Sequence, residues 1–401
     1  MEFALTWEQQ ALKELVRDFV ESELMPLERT VIAREAQLGL GDADLLTPEE
    51  IARLNNRARE LGLWGLNLPT EYGGQGLGML ALCLAEEELA KTITPYLFPP
   101  DAPNLDFLLA CANEDQKERY LLPYARGEKI SAIAATEPGA GSDVAAMQTT
   151  AVRDGNEWVI NGTKIFISRA KRADFFIVMA VTDPVKRNRG GITAFLVDQG
   201  TPGLVVGRPI PTMTADMRPY EVYLNNVRVP DSQVLGEVGG GFVPMSNRFG
   251  VRRLEFGARC VGMAQRMLDA MIQQANTRVT FGQPLAERQM VQAMIADSAM
   301  ELQQARLLVY YTAWKADQGL GNPRLETSMV KVAATEMAQR VADRCIQIFG
   351  GMGLTKDWPW EWMYRKIRGF RIIEGPSEIH RWQISRFLTR GTASLDLPTS
   401  R

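Results

Sequence analysis

Leu12, Leu15, Val16, Phe19 and Val20 recur at i, i+3, i+4, i+7 and i+8, the spacing of a helix with one apolar face. Thr6 followed by Gln9 has the form of a capping box at its start. The segment TPEEIARLNNRARELGL repeats the scheme, with Thr47 as N-cap, Pro48 at the first helical position and Glu50 closing the box. NEDQKERYLLPYA opens another helix at Asn113. Residues 1–125 are therefore expected to form a mostly helical domain.

The pattern then shifts towards a period of two. AVRDGNEWVINGTKIFIS carries Asp154-Gly155 and Asn161-Gly162 between strand-like runs, which predicts two hairpins. DFFIVMAV, ITAFLVD, GLVVG and YEVYLNNVRV continue the series to about Pro230, so residues 126–238 are expected to form a small antiparallel β domain between helices. EVGGGF punctuates its end. Residues 239–401 return to helical spacing, broken by TFGQPL, GLGNP, FGGMGLTKDWPWEW and RGFRIIEGP, which predicts four or five long helices and a frayed tail, GTASLDLPTSR. The expected fold is mostly α with a central antiparallel β domain, without internal repeats.

Composition narrows the function. With 401 residues, 46% of them hydrophobic, the chain can bury a substantial core. Forty-five Lys and Arg against 48 Asp and Glu give a net charge of −3, without the general basic field of an obligate nucleic-acid binder. Cys83, Cys111, Cys260 and Cys345 lack CxxC spacing, and His380 is the only histidine, too few soft ligands for a zinc site. Reduced thiols and a cytoplasmic location are expected. The start, MEFALTWEQQ, has neither a basic region nor an apolar h-region, and no apolar run reaches eighteen residues.

Five segments carry candidate chemistry. AATEPGAGSD, residues 134–143, can turn backbone N–H groups and the Thr136 hydroxyl towards an anion, although a plain Pro-Gly turn is the simpler account. NGTKIFIS puts Phe166 and Ser168 two apart, an aromatic plane beside a hydroxyl, and equally a half-core, half-solvent strand. TRVTFGQPLAERQ and QIFGGMG offer an arginine suited to phosphate and a Gly-Gly pair that also reads as a helix C-cap. In FRIIEGPSEIHRW, Glu374 follows two isoleucines, a setting with few obvious partners for a carboxylate.

Together, GLWGLNLPTEYGGQGLG, TEPGAGSD, NGTKIFIS, RVTFG, QIFGGMG and IIEGPSEIHR resemble the acyl-CoA dehydrogenase family of flavoenzymes, in the family's order and over nearly the whole chain. The resemblance implies a helical domain, a β-barrel-like domain and a helical bundle, an FAD cofactor and an acyl-CoA substrate. It also implies electron-transfer flavoprotein as acceptor and a homodimer or homotetramer. Glu374 is similar to the catalytic base, needed because the α-proton of a thioester is only weakly acidic. Ala135, Thr136, Gly141 and Ser142 resemble flavin contacts, Ser142 near the substrate as well. Phe166 would lie on the isoalloxazine face with Ser168 on N5. Arg278, Phe281, Gln289, Gln347, Gly350 and Gly351 resemble the groups that hold the adenosine diphosphate half across a subunit interface. Pro376 and Glu378 fall on the cofactor side, and Arg253 and Gly375 on the substrate side. Relatives that carry the base on the earlier helix do so where this chain has Arg252, which cannot abstract a proton. Glu255 is expected to be a salt-bridge partner.

Three departures stand out. Pro376 removes a hydroxyl and a backbone donor, and either costs a flavin contact or opens the last helix. Ser168-Arg169 replaces Thr-Asn or Ser-Asn, and TMTADMRPYEVY lacks the usual Ser-Asp-Thr run. EGPSEIH resembles a branch handling longer, branched or hydroxylated acyl groups, and His380 is expected at the surface or an interface. An acyl-CoA oxidase shares these motifs. A flavin-containing, DNA-associated stress protein of the same fold would use a basic surface such as Arg365, Lys366, Arg368 and Arg371, charges that a solvated face or cofactor phosphates explain more simply.

Overall fold

The computed structural model describes residues 4–216, 218–320 and 324–395. Helix α1 (Trp7–Phe19) begins with the reciprocal cap: Gln9 N donates to Thr6 Oγ1 at 3.3 Å and Thr6 N to Gln9 Oε1 at 3.0 Å. Its apolar face does what the spacing requires, burying Val16, Phe19 and Val20 with Leu12 and Leu15 packed alongside. There follow α2 (Glu28–Leu38), α3 (Pro48–Glu60, capped by Thr47), α4 (Met79–Leu89) and α5 (Ala102–Cys111). A helical stretch capped by Asn113 then runs through α6 (Glu114–Gln116), one π turn and α7 (Leu122–Ala125).

Eight strands form the central sheet: β1 (Ser131–Ala134), β2 (Thr150–Asp154), β3 (Glu157–Ile167), β4 (Phe175–Val181), β5 (Ile192–Asp198), β6 (Leu204–Pro209), β7 (Tyr220–Pro230) and β8 (Val234–Leu235). Their order is β6-β7-β3-β2-β4-β5-β8, with β1 against β4. The pairings are antiparallel except β1 with β4 and β2 with β4, which makes the sheet mixed. Strand β4 is buried along its whole length because both its faces are covered. Phe175, Ile177 and Met179 pack with Leu105, Phe107 and Tyr120 from the helices, while Phe176, Val178 and Ala180 pack with Trp158, Ile160 and Phe195.

Asp154-Gly155 makes the expected hairpin, with Asp154 opposite Glu157. Asn161-Gly162 does not: β3 continues through it, and the register against β7 shifts between Ile160 and Gly162. The glycine is used for close approach, since a Cβ there would lie 2.2 Å from Thr149 Oγ1. Asn161 Oδ1 meanwhile accepts from Asn226 N at 2.8 Å, so the Asn-Gly pair marks an irregularity rather than a turn.

The second helical unit comprises α8 (Phe242–Thr277), the short pair β9 (Val279–Thr280) and β10 (Gln283–Pro284), α9 (Gln289–Asp317), α10 (Arg324–Phe349), α11 (Trp360–Phe370) and α12 (Ser377–Thr389). Met267, Met271, Val309, Val341, Cys345, Trp362 and Phe370 belong to its core. The last six residues of GTASLDLPTSR lie outside the described residues, as do residues 321–323 of the GLGNP break. Among the described residues no helix is long and apolar enough to cross a membrane.

Candidate active site

Glu374 lies in the loop between α11 and α12, with φ 56°, followed by Gly375 at φ 98°. Two successive left-handed residues, the first of them not glycine, cost about 1–3 kcal/mol and persist only where neighbours hold them. Four side chains do so. Arg253 Nε donates to the Glu374 carbonyl at 3.0 Å, His380 Nε2 hydrogen-bonds the same oxygen at 3.2 Å, and Lys331 Nζ donates to Gly375 O at 3.3 Å and also to Phe370 O. Arg248 Nη1 reaches the carboxylate itself, 3.0 Å from Oε1. A Cβ on residue 375 would sit 2.9 Å from His380 Nε2, so the sequence needs glycine there.

His380 is fully buried, which corrects its expected place at the surface or an interface. It shares a face of α12 with buried Ser377, three residues earlier, and that face turns inward. Because a carbonyl only accepts, Nε2 carries the proton, and among the described residues Nδ1 has no hydrogen-bond partner. Burial pushes the imidazole down to about 3, with Arg253 and Lys331 acting in the same sense, so it is neutral. Lys331 is lowered to about 8, again chiefly by burial. Ile372 and Ile373 are exposed, and the carboxylate is paired with Arg248. Pro376 is the N-cap of α12, one position before the helix rather than its first residue.

Helix α8 supplies the wall facing this loop. Arg248, Arg252, Glu255 and Arg259 fall at i, i+4, i+7 and i+11, one charged stripe turned inward. Arg248 Nε also donates to Asn104 Oδ1 at 3.1 Å, and Asn104 in turn donates to Ser131 Oγ at 2.9 Å. Arg252 bridges Glu255 at 2.6 Å and Asp101, which Arg169 approaches at 3.6 Å, and Arg259 pairs with Glu86 at 2.6 Å. Burial works against charge on Asp101, but Arg252, Arg169 and Arg248 outweigh it and hold the carboxyl below its usual range. On Glu255 burial prevails over Arg252, raising it to about 7. Glu255 is thus the expected salt-bridge partner, and Arg169, a departure in the sequence, joins the same cationic network.

A second cluster forms where the 134–143 loop meets β3. Ile165 N donates to Thr136 O at 2.9 Å, and Lys164, buried in the sheet, bridges Glu137 Oε1 at 2.8 Å and Ala135 O at 3.1 Å. Glu137 also accepts from Gln148 N at 2.5 Å and Thr149 N at 2.9 Å. Burial lowers Lys164 to about 8. Held this way, Ala135 is buried, Thr136 half-buried, and Gly141 and Ser142 face solvent. Phe166 is 55% exposed at φ 59°, in the bulge between Lys164 and Ile167, and Ser168, just past the strand end, is exposed as well.

The remaining expected contacts stand apart. Arg278 follows the end of α8, Phe281 is 99% exposed at φ 51°, and Gln289 begins α9. Gln347 lies in the last turn of α10, Gly350 and Gly351 open the 3₁₀ turn that follows it, and Glu378 lies on the outer face of α12. All seven are solvent-facing, and among the described residues none bonds to the Glu374 or Thr136 loops. The basic segment is largely neutralised within the fold: Arg365 pairs with Glu361 and Glu35, Lys366 with Asp216, and Arg371 with Glu336.

Sequence reasoning missed Arg248, Asn104, Asp101, Lys331 and the Lys164–Glu137 pair. The signal for Arg248 was present, because charged residues at core spacing on a long helix must bring their partners with them.

Comparison with known proteins fits this geometry. Three sequence families match in order: acyl-CoA dehydrogenase, N-terminal domain, over residues 6–128; middle domain, over 132–227; and C-terminal domain, over 239–389. The chain is 50% identical over 394 residues to (R)-benzylsuccinyl-CoA dehydrogenase of Thauera aromatica, covering 97% of both chains. Butyryl-CoA dehydrogenase from Megasphaera elsdenii superposes with a TM-score of 0.87 at 32% identity, over 97% of this chain and 100% of that one. The FAD complex of PigA does so at 0.85 and 29%, over 97% and 99%. The chain therefore belongs to the acyl-CoA dehydrogenase family of FAD-dependent oxidoreductases.

Proposed function

We propose that the protein oxidises an acyl-CoA thioester to the trans-2-enoyl thioester, with Glu374 as the base that takes the α-proton. The observation that carries this is the Glu374 loop itself: a carboxylate in a left-handed backbone, fixed through its own carbonyl by Arg253 and His380. Such fixing turns a flexible glutamate into an aimed base.

The residues present fit FAD. Phe166 offers an exposed aromatic plane beside Ser168, and no atom lies within 4 Å of where a Cβ would stand on Gly139 or Gly141, so a ligand can approach the backbone there. In this reading Ala135, Thr136, Gly141, Ser142, Phe166 and Ser168 hold the ring. Arg278, Phe281, Gln289, Gln347, Gly350 and Gly351 serve the adenosine diphosphate half of a neighbouring subunit's cofactor in a dimer or tetramer, and Pro376 and Glu378 border it. When bound, FAD supplies the acceptor for the hydride that leaves the β-carbon. Arg253, Gly375 and Ser142 line the thioester side.

Electron-transfer flavoprotein is the acceptor that the family resemblance implies, and oxygen consumption during turnover separates a dehydrogenase from an oxidase. Four unpaired cysteines suit a reducing compartment such as the cytoplasm. The name of the 50%-identical relative makes a benzyl-substituted succinyl thioester the first compound to try. Anaerobic bleaching of the flavin against a panel of acyl-CoAs tests the reaction. Bleaching by at least one thioester, with the enoyl product formed, supports it, and bleaching by none overturns it.

A further inference from the structure

The carboxylate of Glu374 is not free to act as a base where it stands, because Arg248 holds it at 3.0 Å inside the protein. Arg248 is 7% exposed, its Nε is committed to Asn104 Oδ1, and among the described residues Nη2 has no hydrogen-bond partner. The edge formed by Nη1 and Nη2 is the fork that receives a carboxylate with two parallel bonds. Arg253 meets Glu374 only through the backbone carbonyl, and among the described residues it forms no salt bridge. Five guanidiniums (Arg169, Arg248, Arg252, Arg253 and Arg259) thus gather around four carboxylates (Glu86, Asp101, Glu255 and Glu374). The wall has room for one more negative charge.

We propose, resting on the dehydrogenation above, that the acyl group carries a free carboxylate close to its activated carbon, and that Arg248 binds this carboxylate in exchange for Glu374. A neutral acyl group that drew Glu374 away would leave a buried arginine unpaired, a state proteins avoid. A substrate carboxylate keeps Arg248 paired at every stage and releases the base only when the right substrate is in place. Arg248 is therefore assigned as the residue that determines specificity.

The test compares benzylsuccinyl-CoA with its counterpart in which the free carboxylate is a primary amide, using wild type, Arg248→Met and Arg248→Lys. Binding is read by equilibrium dialysis and reduction by anaerobic flavin bleaching. Wild type is expected to prefer the carboxylate by at least about a hundredfold, as sites built to pair a polar group do. In Arg248→Met, with FAD content and sedimentation matching wild type, the preference should fall below about tenfold, the loss falling on the carboxylate thioester. Should the Met variant fail to fold, Arg248→Lys carries the test, because loss of the fork should still cut the preference by about tenfold. An undiminished preference in the variant that folds, or no preference in wild type, overturns the assignment. Bleaching by unsubstituted fatty acyl-CoAs alone overturns it while leaving the dehydrogenase reaction intact, whereas bleaching by no acyl-CoA removes that reaction too.

Discussion

Arg248 Nη1 lies 3.0 Å from Glu374 Oε1, so the one carboxylate of the FRIIEGP loop is paired with an arginine 126 positions earlier in the chain. That contact ties the long helix α8 to the loop between α11 and α12, and it must open before the carboxylate can take a proton from a substrate. The loop's backbone is held separately, by Arg253, His380 and Lys331.

Gly375→Ala should disturb this hold directly. The residue has φ 98°, and an added Cβ would lie 2.9 Å from His380 Nε2. Denaturant unfolding is expected to show a loss of about 1–3 kcal/mol, with slower flavin reduction because Glu374 moves with its neighbour. Unchanged stability and rate would show that the loop tolerates a side chain there.

Lys164→Met should leave Glu137 buried without its cation, a change that typically costs about 3–5 kcal/mol. The 134–143 loop loses its anchor to β3 at the same time, so FAD occupancy should fall with the melting temperature. Adding Glu137→Gln should recover part of the stability. Full FAD occupancy in the single variant would separate this ion pair from cofactor binding.

Protonation of His380 opposes folding. Its folded value is depressed to about 3 from an ordinary 6.5, so the unfolded chain binds the extra proton first. The stability it contributes is complete above about pH 6.5 and is lost as pH falls towards 3, at up to about 1.4 kcal/mol per unit. Unfolding curves at pH 7, 6, 5 and 4 should be steeper in pH for wild type than for His380→Gln. Equal slopes would mean that the imidazole is not buried neutral.

Arg278→Ala should weaken FAD retention without lowering the stability of the FAD-free chain, since Arg278 is exposed and makes no hydrogen bond through its side chain among the described residues. If a neighbouring subunit completes the cofactor site, sedimentation should also show that monomers lose FAD. A fully flavinated monomer at micromolar concentration would contradict the shared site.

The helix caps at Thr6, Thr47 and Asn113 and the apolar stripe of α1 were legible because each rests on neighbours within one or two turns. Asn161-Gly162 misled because the dipeptide serves a turn or a bulge equally well locally, and only the approach of Thr149 decides between them. Glu374 was legible through its motif, whereas its partners were not: Arg248, Asn104 and Lys331 come from three distant helices, and nothing local joins them. His380 was misplaced for the same reason, since a histidine on an amphipathic turn faces whichever side the packing closes.

Rapid mixing of the anaerobic enzyme with a thioester that bleaches it gives the most direct test of Glu374. Glu374→Gln keeps the shape of the side chain and cannot accept the α-proton, so flavin and thioester should bind while reduction slows by at least about 10²- to 10⁴-fold. Glu255→Gln is the control: it breaks the buried pair with Arg252, so it should lower the melting temperature yet leave reduction at low temperature within about tenfold of wild type. Near-normal reduction in Glu374→Gln, or collapse only in Glu255→Gln, would place the base on α8 and contradict the account.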